Sequence, residues 1–122
     1  MDSKVATRTV GDVVVVDHVG RIVWDRPANR FGAVLHRIVD EPRRKVLINL
    51  ARTTAIDAFG IGKLAKAGGI SVKTGSACGM IVRPRSSVDR LVRLTEMHRI
   101  IPVYFSEEEA LEQFPATLAL RE

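Results

Sequence analysis

Apolar residues along this chain recur with two periods, and the switches between those periods mark out the elements. Residues 4–10 and 13–19 (KVATRTV and VVVVDHV) are rich in β-branched residues and predict two strands. Gly11-Asp12 between them suits a tight hairpin turn with glycine first. GRIVW (20–24) follows as a further extended piece, with Gly20 at a bend or bulge. Pro27 then fits the first turn of a helix, where its fixed φ is already helical. Phe31, Val34, Leu35, Ile38 and Val39 fall at i, i+3, i+4, i+7 and i+8, a single apolar stripe that Pro42 ends.

KVLINL (45–50) is a short, nearly unbroken apolar run, the pattern of a strand buried on both faces. The helical period returns with Ile61, Leu64, Ala65, Gly68 and Val72. Gly68-Gly69 inside that helix costs about 1 kcal/mol per residue relative to alanine. The pair is therefore expected to allow close packing on the sheet or to loosen the helix end. ACGMIV (77–82) is a second buried strand, closed by Pro84. Ser86 and Asp89 make a capping-box pattern ahead of Val88, Leu91, Val92 and Thr95. PVYF (102–105) is a short strand, and Ser106 with Glu109 repeats the box before Ala110, Leu111 and Phe114. Glu107, Glu108 and Glu109 suit the positive end of that last helix.

Strands alternating with helices after a hairpin define an α/β fold. The expected architecture is a mixed, mostly parallel sheet of about four or five strands, opened by an antiparallel hairpin, with about four helices. At 122 residues, without linker or repeat, residues 1–122 are expected to form one domain, since domains typically hold ~100–150 residues. Aromatics make up only 5% of the chain, so the core must be built mostly from Val, Ile, Leu and Ala.

Charge adds a second layer. The formal net charge is +5, and it is unevenly spread. Residues 62–105 hold eight Lys/Arg against Asp89 and Glu96, whereas residues 106–122 hold five Glu against Arg121. A basic middle could steer an acidic protein or nucleic acid by long-range attraction. No aromatics are interleaved with these basic residues as a stacking platform requires, so nucleic acid is disfavoured and a solvated face is the simpler reading.

Cys78 is the single cysteine, which excludes an intrachain disulfide and a cysteine cage for a metal. Its apolar surroundings predict a small buried hydrophobe. The start of the chain lacks a signal-peptide pattern, and Val13–Val16 falls far short of the ~20 apolar residues that span a bilayer. A cytoplasmic protein without direct membrane insertion is expected.

Candidate chemistry centres on TTAIDAFGIGKLAKAGG (53–69). Gly60-Ile61-Gly62-Lys63-Leu64-Ala65 fits the G-x-G-x-x-(G/A) spacing of dinucleotide sites, which works when the glycine turn leaves a strand directly for a helix N-terminus. KVLINL ends at Leu50, with nine residues intervening before Gly60, and residues 79–88 lack the acid that would bind a ribose. Gly62-Lys63 is followed by Leu64, not the Ser/Thr of a P-loop. Asp57 has no evident partner acid, base or metal, and His18, His36 and His98 lack ligand spacing. No metal, cofactor or catalytic residue is therefore expected, and a nucleotide-binding enzyme is only a remote alternative. The simplest role for Asp57 is a helix cap, its carboxylate facing the first free N–H groups and the positive end of the dipole.

KVLINLARTTAIDAFGIGKL resembles the central segment of STAS domains, the anti-sigma factor antagonist family. In that family an apolar strand leads to an Ile-Asp-Ser-Ser-Gly-Leu-Gly-like motif at a helix N-terminus. MIVRPRSSVDRLVRLTEMHRIIPVYFSEEEAL is similar to the family's ending: a strand, a helix closing in a Leu-Thr-Gly-like turn, a short strand and an acidic helix. The likeness spans roughly residues 5–114. It implies a non-catalytic regulatory domain that binds an anti-sigma factor, usually a kinase of the histidine-kinase ATPase fold. Phosphorylation of a motif hydroxyl by that kinase then breaks the complex.

This sequence departs from the family at the switch. Asp57 and Gly60 match, but the serines fall on Ala58 and Phe59, neither of which can take a phosphate. A scaffold subgroup with an Asp-Ser-Phe-Ile-like motif shares Phe59, and there too the serine falls on Ala58. Thr53, Thr54, Ser86 and Ser106 have simpler capping or loop roles. The expected partner-binding residues are Asp57, Ala58, Phe59, Gly60, Ile61 and Lys63, with Phe59 either an exposed anchor or an inward-turned core residue. The expected partner is an anti-sigma factor or related protein, with a second copy of the chain as a further candidate. A scaffold role, or a place in a lipid-transport complex, is the alternative.

Overall fold

The computed structural model describes residues 3–121, and describes side chains as far as Phe114. Met1, Asp2, Glu122 and the side chains of 115–121 lie outside that range, and with them the end of the acidic tail and the ends of the 1–122 domain expectation. Five strands form one sheet in the spatial order β1-β2-β3-β4-β5. They are β1 (Ser3–Val10), β2 (Val13–Ile22), β3 (Lys45–Ile56), β4 (Ala77–Ile81) and β5 (Val103–Tyr104). The helices are α1 (Arg26–Val39), α2 (Ala58–Thr74), α3 (Ser87–Leu94) and α4 (Glu107–Arg121), with a 3-10 turn at Met97–Arg99. Only β1 and β2 are antiparallel; every later neighbour is parallel, as the alternation of strands and helices predicts.

The hairpin closes where expected, with Val10 opposite Val13 and Gly11 at φ 61, a left-handed conformation glycine adopts without cost. GRIVW does not form a separate strand. Its first residues extend β2 as far as Ile22, and the turn begins only after Val23. Two register shifts fall opposite Val19 and Arg21, and the extra residues belong to β3 rather than to Gly20 itself.

Alternation sorts the buried residues into two cores on opposite faces of the sheet. On one face Val46, Ile48 and Leu50 of β3 meet Phe31, Leu35 and Val39 of α1, Leu64 and Ala67 of α2, and Val88 and Val92 of α3. On the other, Val13, Val15, Leu47 and Ile81 pack under Ala110 and Phe114 of α4. KVLINL is thus buried from both sides, as its apolar run predicts, and Cys78 is buried as a small hydrophobe.

The face of α2 differs from its sequence pattern. Leu64 and Gly68 are buried, but Val72 is 69% exposed, and Ala67 and Ser71 occupy the inner positions instead. The buried stripe is rotated by about a fifth of a turn from the one the large apolar residues mark. Small residues sit where α2 lies close to its neighbours. A Cβ on Gly68 would come within 2.6 Å of Ile100 Cγ2, whereas one on Gly69 would meet nothing. The close packing therefore involves the segment after the 3-10 turn rather than the sheet.

Both capping boxes form, each with a shift. Ser86 Oγ accepts from Asp89 N and Ser106 Oγ from Glu109 N, both at 3.1 Å. The returning carboxylates reach one residue further back than the cap, to Arg85 N and Phe105 N.

His18 of β2 is a polar side chain set deep between β1, β3 and α1. Its Nδ1 shares a hydrogen bond with Thr53 Oγ1 and its Nε2 with Ser3 Oγ, both at 2.9 Å, and Phe31 stands edge-on at 5.6 Å. Thr53 and Thr54 accordingly belong to strand β3 and not to a loop, and Thr53 is committed to this network. Burial pushes the His18 imidazole down to about 4. Because the folded-state value lies below the ordinary value of 6.5, the unfolded chain takes up the proton first. Stability from this group is full above about pH 6.5 and is lost as pH falls toward 4. The loss amounts to ~3 kcal/mol across that window. Denaturant unfolding measured at several pH values is expected to show this slope, reduced in a His18→Gln variant; equal slopes in both proteins would contradict it.

Candidate docking site at the start of α2

Strand β3 does not stop at Leu50. Pairing with β2 carries it through Arg52, Thr53 and Ala55 to Ile56, well past the end of β4, so it delivers Asp57 directly to the N-terminus of α2. Six of the nine residues between Leu50 and Gly60 are therefore strand, and distance no longer argues against a phosphate cradle. The local hydrogen bonds do.

Asp57 is extended, at φ −116 and ψ −171, and caps the helix as its sequence position predicts. Its Oδ1 accepts from Phe59 N at 3.0 Å and from Gly60 N at 3.1 Å. Its Oδ2 accepts from Trp24 N at 2.8 Å, across 33 residues of sequence. Its own N–H donates to Ile22 O at 3.3 Å. One carboxylate thus occupies the first N–H groups of α2 and fixes the loop that leaves β2. A phosphate would meet a negative charge where a dinucleotide site offers free donors.

Gly60 sits at the closest approach between α2 and β2. A Cβ there would come within 2.5 Å of Ile56 Cγ1 and 2.7 Å of Ile22 O. Gly62, one position beyond Ile61, has open space around it. The two glycines of the G-x-G pattern therefore have unrelated surroundings, and only the first is required by packing.

The six residues expected to form the site divide. Asp57 and Ala58 lie at the surface, and Phe59 is 56% exposed, so it does not turn inward as core. Gly60 and Ile61 are buried beneath them. Lys63 is half-buried, its stem lying against Gly32 of α1 and its carbonyl accepting from His36 Nε2 at 2.9 Å. Burial holds the His36 imidazole below its ordinary range. His98 lies in the 3-10 turn. Among the described residues no group of three or more His, Cys, Asp or Glu could hold a metal.

Trp24 is the residue the sequence pattern missed. It is 62% exposed, and its backbone is held by the same carboxylate that holds Phe59. Asp25 after it takes φ 75 and ψ −130, a region that costs a non-glycine residue of order 1–3 kcal/mol. Its signal in the sequence was slight: the only tryptophan of the chain, between an apolar strand and Asp-Arg-Pro.

Residues 4–110 match the STAS domain family model, and the chain belongs to that family. Among solved structures it is similar to an anti-sigma factor antagonist from Mycobacterium paratuberculosis, with TM-score 0.79 and 21% identity over 93% of this chain and 94% of that one. It is also similar to the anti-sigma factor antagonist SpoIIAA in its unphosphorylated form, with TM-score 0.64 and 15% identity over 90% of this chain and 96% of that one. The same fold occurs in the murine anion transporter Slc26a9, with TM-score 0.73 and 14% identity; the match covers 89% of this chain and 18% of the transporter. Comparison with curated proteins found no match. No described helix is long and apolar enough to cross a membrane.

The surroundings of Gly60 and Gly62 give opposite expectations for one substitution. Gly62→Ala is expected to stabilise the protein by about 1 kcal/mol through helix propensity. Gly60→Ala carries the same gain, but the contact with the Ile22 carbonyl costs ~1–3 kcal/mol of overpacking, so a net loss is expected. Urea midpoints of the two variants check the signs, and a stabilised Gly60→Ala would mean that the approach is looser than described.

Proposed function

We propose that this chain is a single, non-catalytic STAS domain acting as a cytoplasmic anti-sigma factor antagonist. It binds an anti-sigma factor of the kinase type through the start of α2 and lacks the usual phosphorylation switch. The observation that carries this reading is the exposed first turn of α2, where Ala58 and Phe59 face solvent beside the capping Asp57. In the family resemblance these two positions hold the hydroxyls. A phosphate of about −2 charge there would break a packed interface by repulsion and desolvation. With alanine and phenylalanine, that means of release is gone, and binding is governed by occupancy. An exposed aromatic in a rigid first turn is well suited to be an interface anchor.

A second reading, a domain serving a larger assembly such as a stress-sensing scaffold or a transport complex, takes its support from the likeness to part of an anion transporter. Size in solution separates the two. A monomer or dimer fits an antagonist, and a large assembly fits a scaffold.

Two measurements test the proposal. Calorimetric titration with each anti-sigma factor of the source organism is expected to find a partner, with Phe59→Glu weakening the complex ~30-fold or more, the effect of a central anchor. Equal affinity of both forms would remove Phe59 from the interface. Incubation with the partner kinase and ATP is expected to leave residues 53–69 unmodified by mass spectrometry, and stoichiometric phosphate in that segment would refute the lost switch.

A further inference from the structure

The two edges of the sheet are unlike. β5, at one end of the strand order, holds two residues, whereas β1, at the other end, holds eight. A short strand, a proline or a bulge keeps a sheet edge from pairing with another chain. β1 has none of these. Ser3–Val10 contains no proline, its register with β2 runs unbroken over the whole length, and no described strand lies beyond it. Lys4, Ala6, Thr7, Arg8 and Thr9 are exposed.

The hairpin fixes which groups point outward. Val10 and Val13 flank a two-residue turn, so they form a hydrogen-bonded pair, and such pairs alternate along the ladder. Lys4, Ala6, Arg8 and Val10 therefore turn their N–H and C=O groups to β2, while Val5, Thr7 and Thr9 turn theirs to solvent. Side chains divide by face. Val5 and Thr7, with Val34, Arg37 and Ile38 of α1, line an open groove of about 320 Å³, and Val5, Val34 and Ile38 are only half-buried against the core. Arg8 lies on the other face, held between Asp17 and Glu107. Lys4 shares that face by alternation and enters no ion pair among the described residues.

We propose that β1 pairs antiparallel with β1 of a second copy of this chain, across a two-fold axis at Thr7, so that the two sheets become one. Outward-facing residues can lie opposite only one another. With the axis at Thr7, Thr7 meets the partner's Thr7, Val5 meets Thr9, Ala6 meets Arg8 and Lys4 meets Val10. Every residue from Lys4 to Val10 is then paired, with about six backbone hydrogen bonds between the copies. An axis at Ala6 would instead set Lys4 against Arg8, two cations face to face. In the Thr7 register Lys4 lies on the diagonal from the partner's Arg8, within reach of a long side chain. Arg8 with Asp17 and Glu107 is a group of one cation and two carboxylates, so its surplus charge is negative and complements the free Lys4. A second copy is favoured over an unrelated strand because this one strand supplies both halves of that match. On the α1 face the partner's Val5 and Thr9 stand beside the groove and extend the burial of Val5, Val34 and Ile38. Arg37 is exposed there, and its long stem leaves the guanidinium in water. None of this draws on the start of α2.

Light scattering of the purified chain over a ~100-fold range of concentration is expected to show the mass doubling. Amide exchange read residue by residue at both ends of that range is expected to slow for Val5, Thr7 and Thr9 in the dimer alone. Thr7→Pro is the sharpest variant. The Thr7 N–H points away from β2, so proline there removes no bond within the chain and is tolerated at an edge. It is expected to unfold thermally as the wild type does when dilute, and to associate ~10-fold or more weakly. Lys4→Glu, a change at an exposed residue, is expected to weaken the dimer ~3-fold or more and serves if the proline variant does not fold. A monomer at every concentration would overturn the proposal, as would a dimer in which those three amides exchange as fast as in the monomer. A folded Thr7→Pro that associates as tightly as the wild type, or a Lys4→Glu dimer as tight as the wild type, would do the same. Each of these outcomes leaves the reading of the α2 start where it stood.

Discussion

A single carboxylate holds the working end of this molecule together. Asp57 accepts two N–H groups from the first turn of α2 and a third from Trp24, while its own amide reaches back to Ile22. Charge-assisted hydrogen bonds of this kind are roughly twice as strong as neutral ones, and here they join two segments that are distant in sequence, the end of β2 and the start of α2. Helix capping alone would use one oxygen. The second oxygen turns a local cap into a tertiary clip, and so places two exposed aromatics on one rigid support.

The clip works because the backbone beneath it comes close. Gly60 lets α2 approach the end of β2 to a distance that no side chain could share. The extended run of β3, paired with β2 alone beyond the end of β4, brings Asp57 to that point. Polar residues such as Arg52 and Thr54 are tolerated in this overhang because they face solvent, whereas Thr53 turns inward to His18. The His18–Thr53–Ser3 chain satisfies a buried ring with partners from β1 and β3, which ties the hairpin to the parallel part of the sheet. A buried polar group with both ring nitrogens paired costs little, and one left unpaired would cost much more.

These features fit a module whose work is recognition. The resemblance to the family would put hydroxyls at this helix start, and in this chain the two positions, Ala58 and Phe59, present methyl and phenyl groups. The clip around Asp57 matters in either case, since it fixes the turn that a partner would meet. Neither Ala58 nor Phe59 carries a hydroxyl that could take a phosphate.

The sequence by itself determined the order of elements, the antiparallel hairpin, the doubly buried run of β3 and the two serine caps. Each of these is local: a period of two or 3.6, a turn dipeptide, or a serine three residues before a carboxylate. It also carried enough of the motif around Asp57 to mark the family. Only the tertiary structure decided how far β3 runs, since residues 51–56 are too polar to announce a strand and are held there by pairing with β2. It alone decided that α2 buries Ala67 and Ser71 rather than Val72, because close approach favours small side chains over apolar ones. And it alone brought Trp24 beside Phe59, since the contact that does so spans 33 residues and belongs to neither aromatic but to the carboxylate between them.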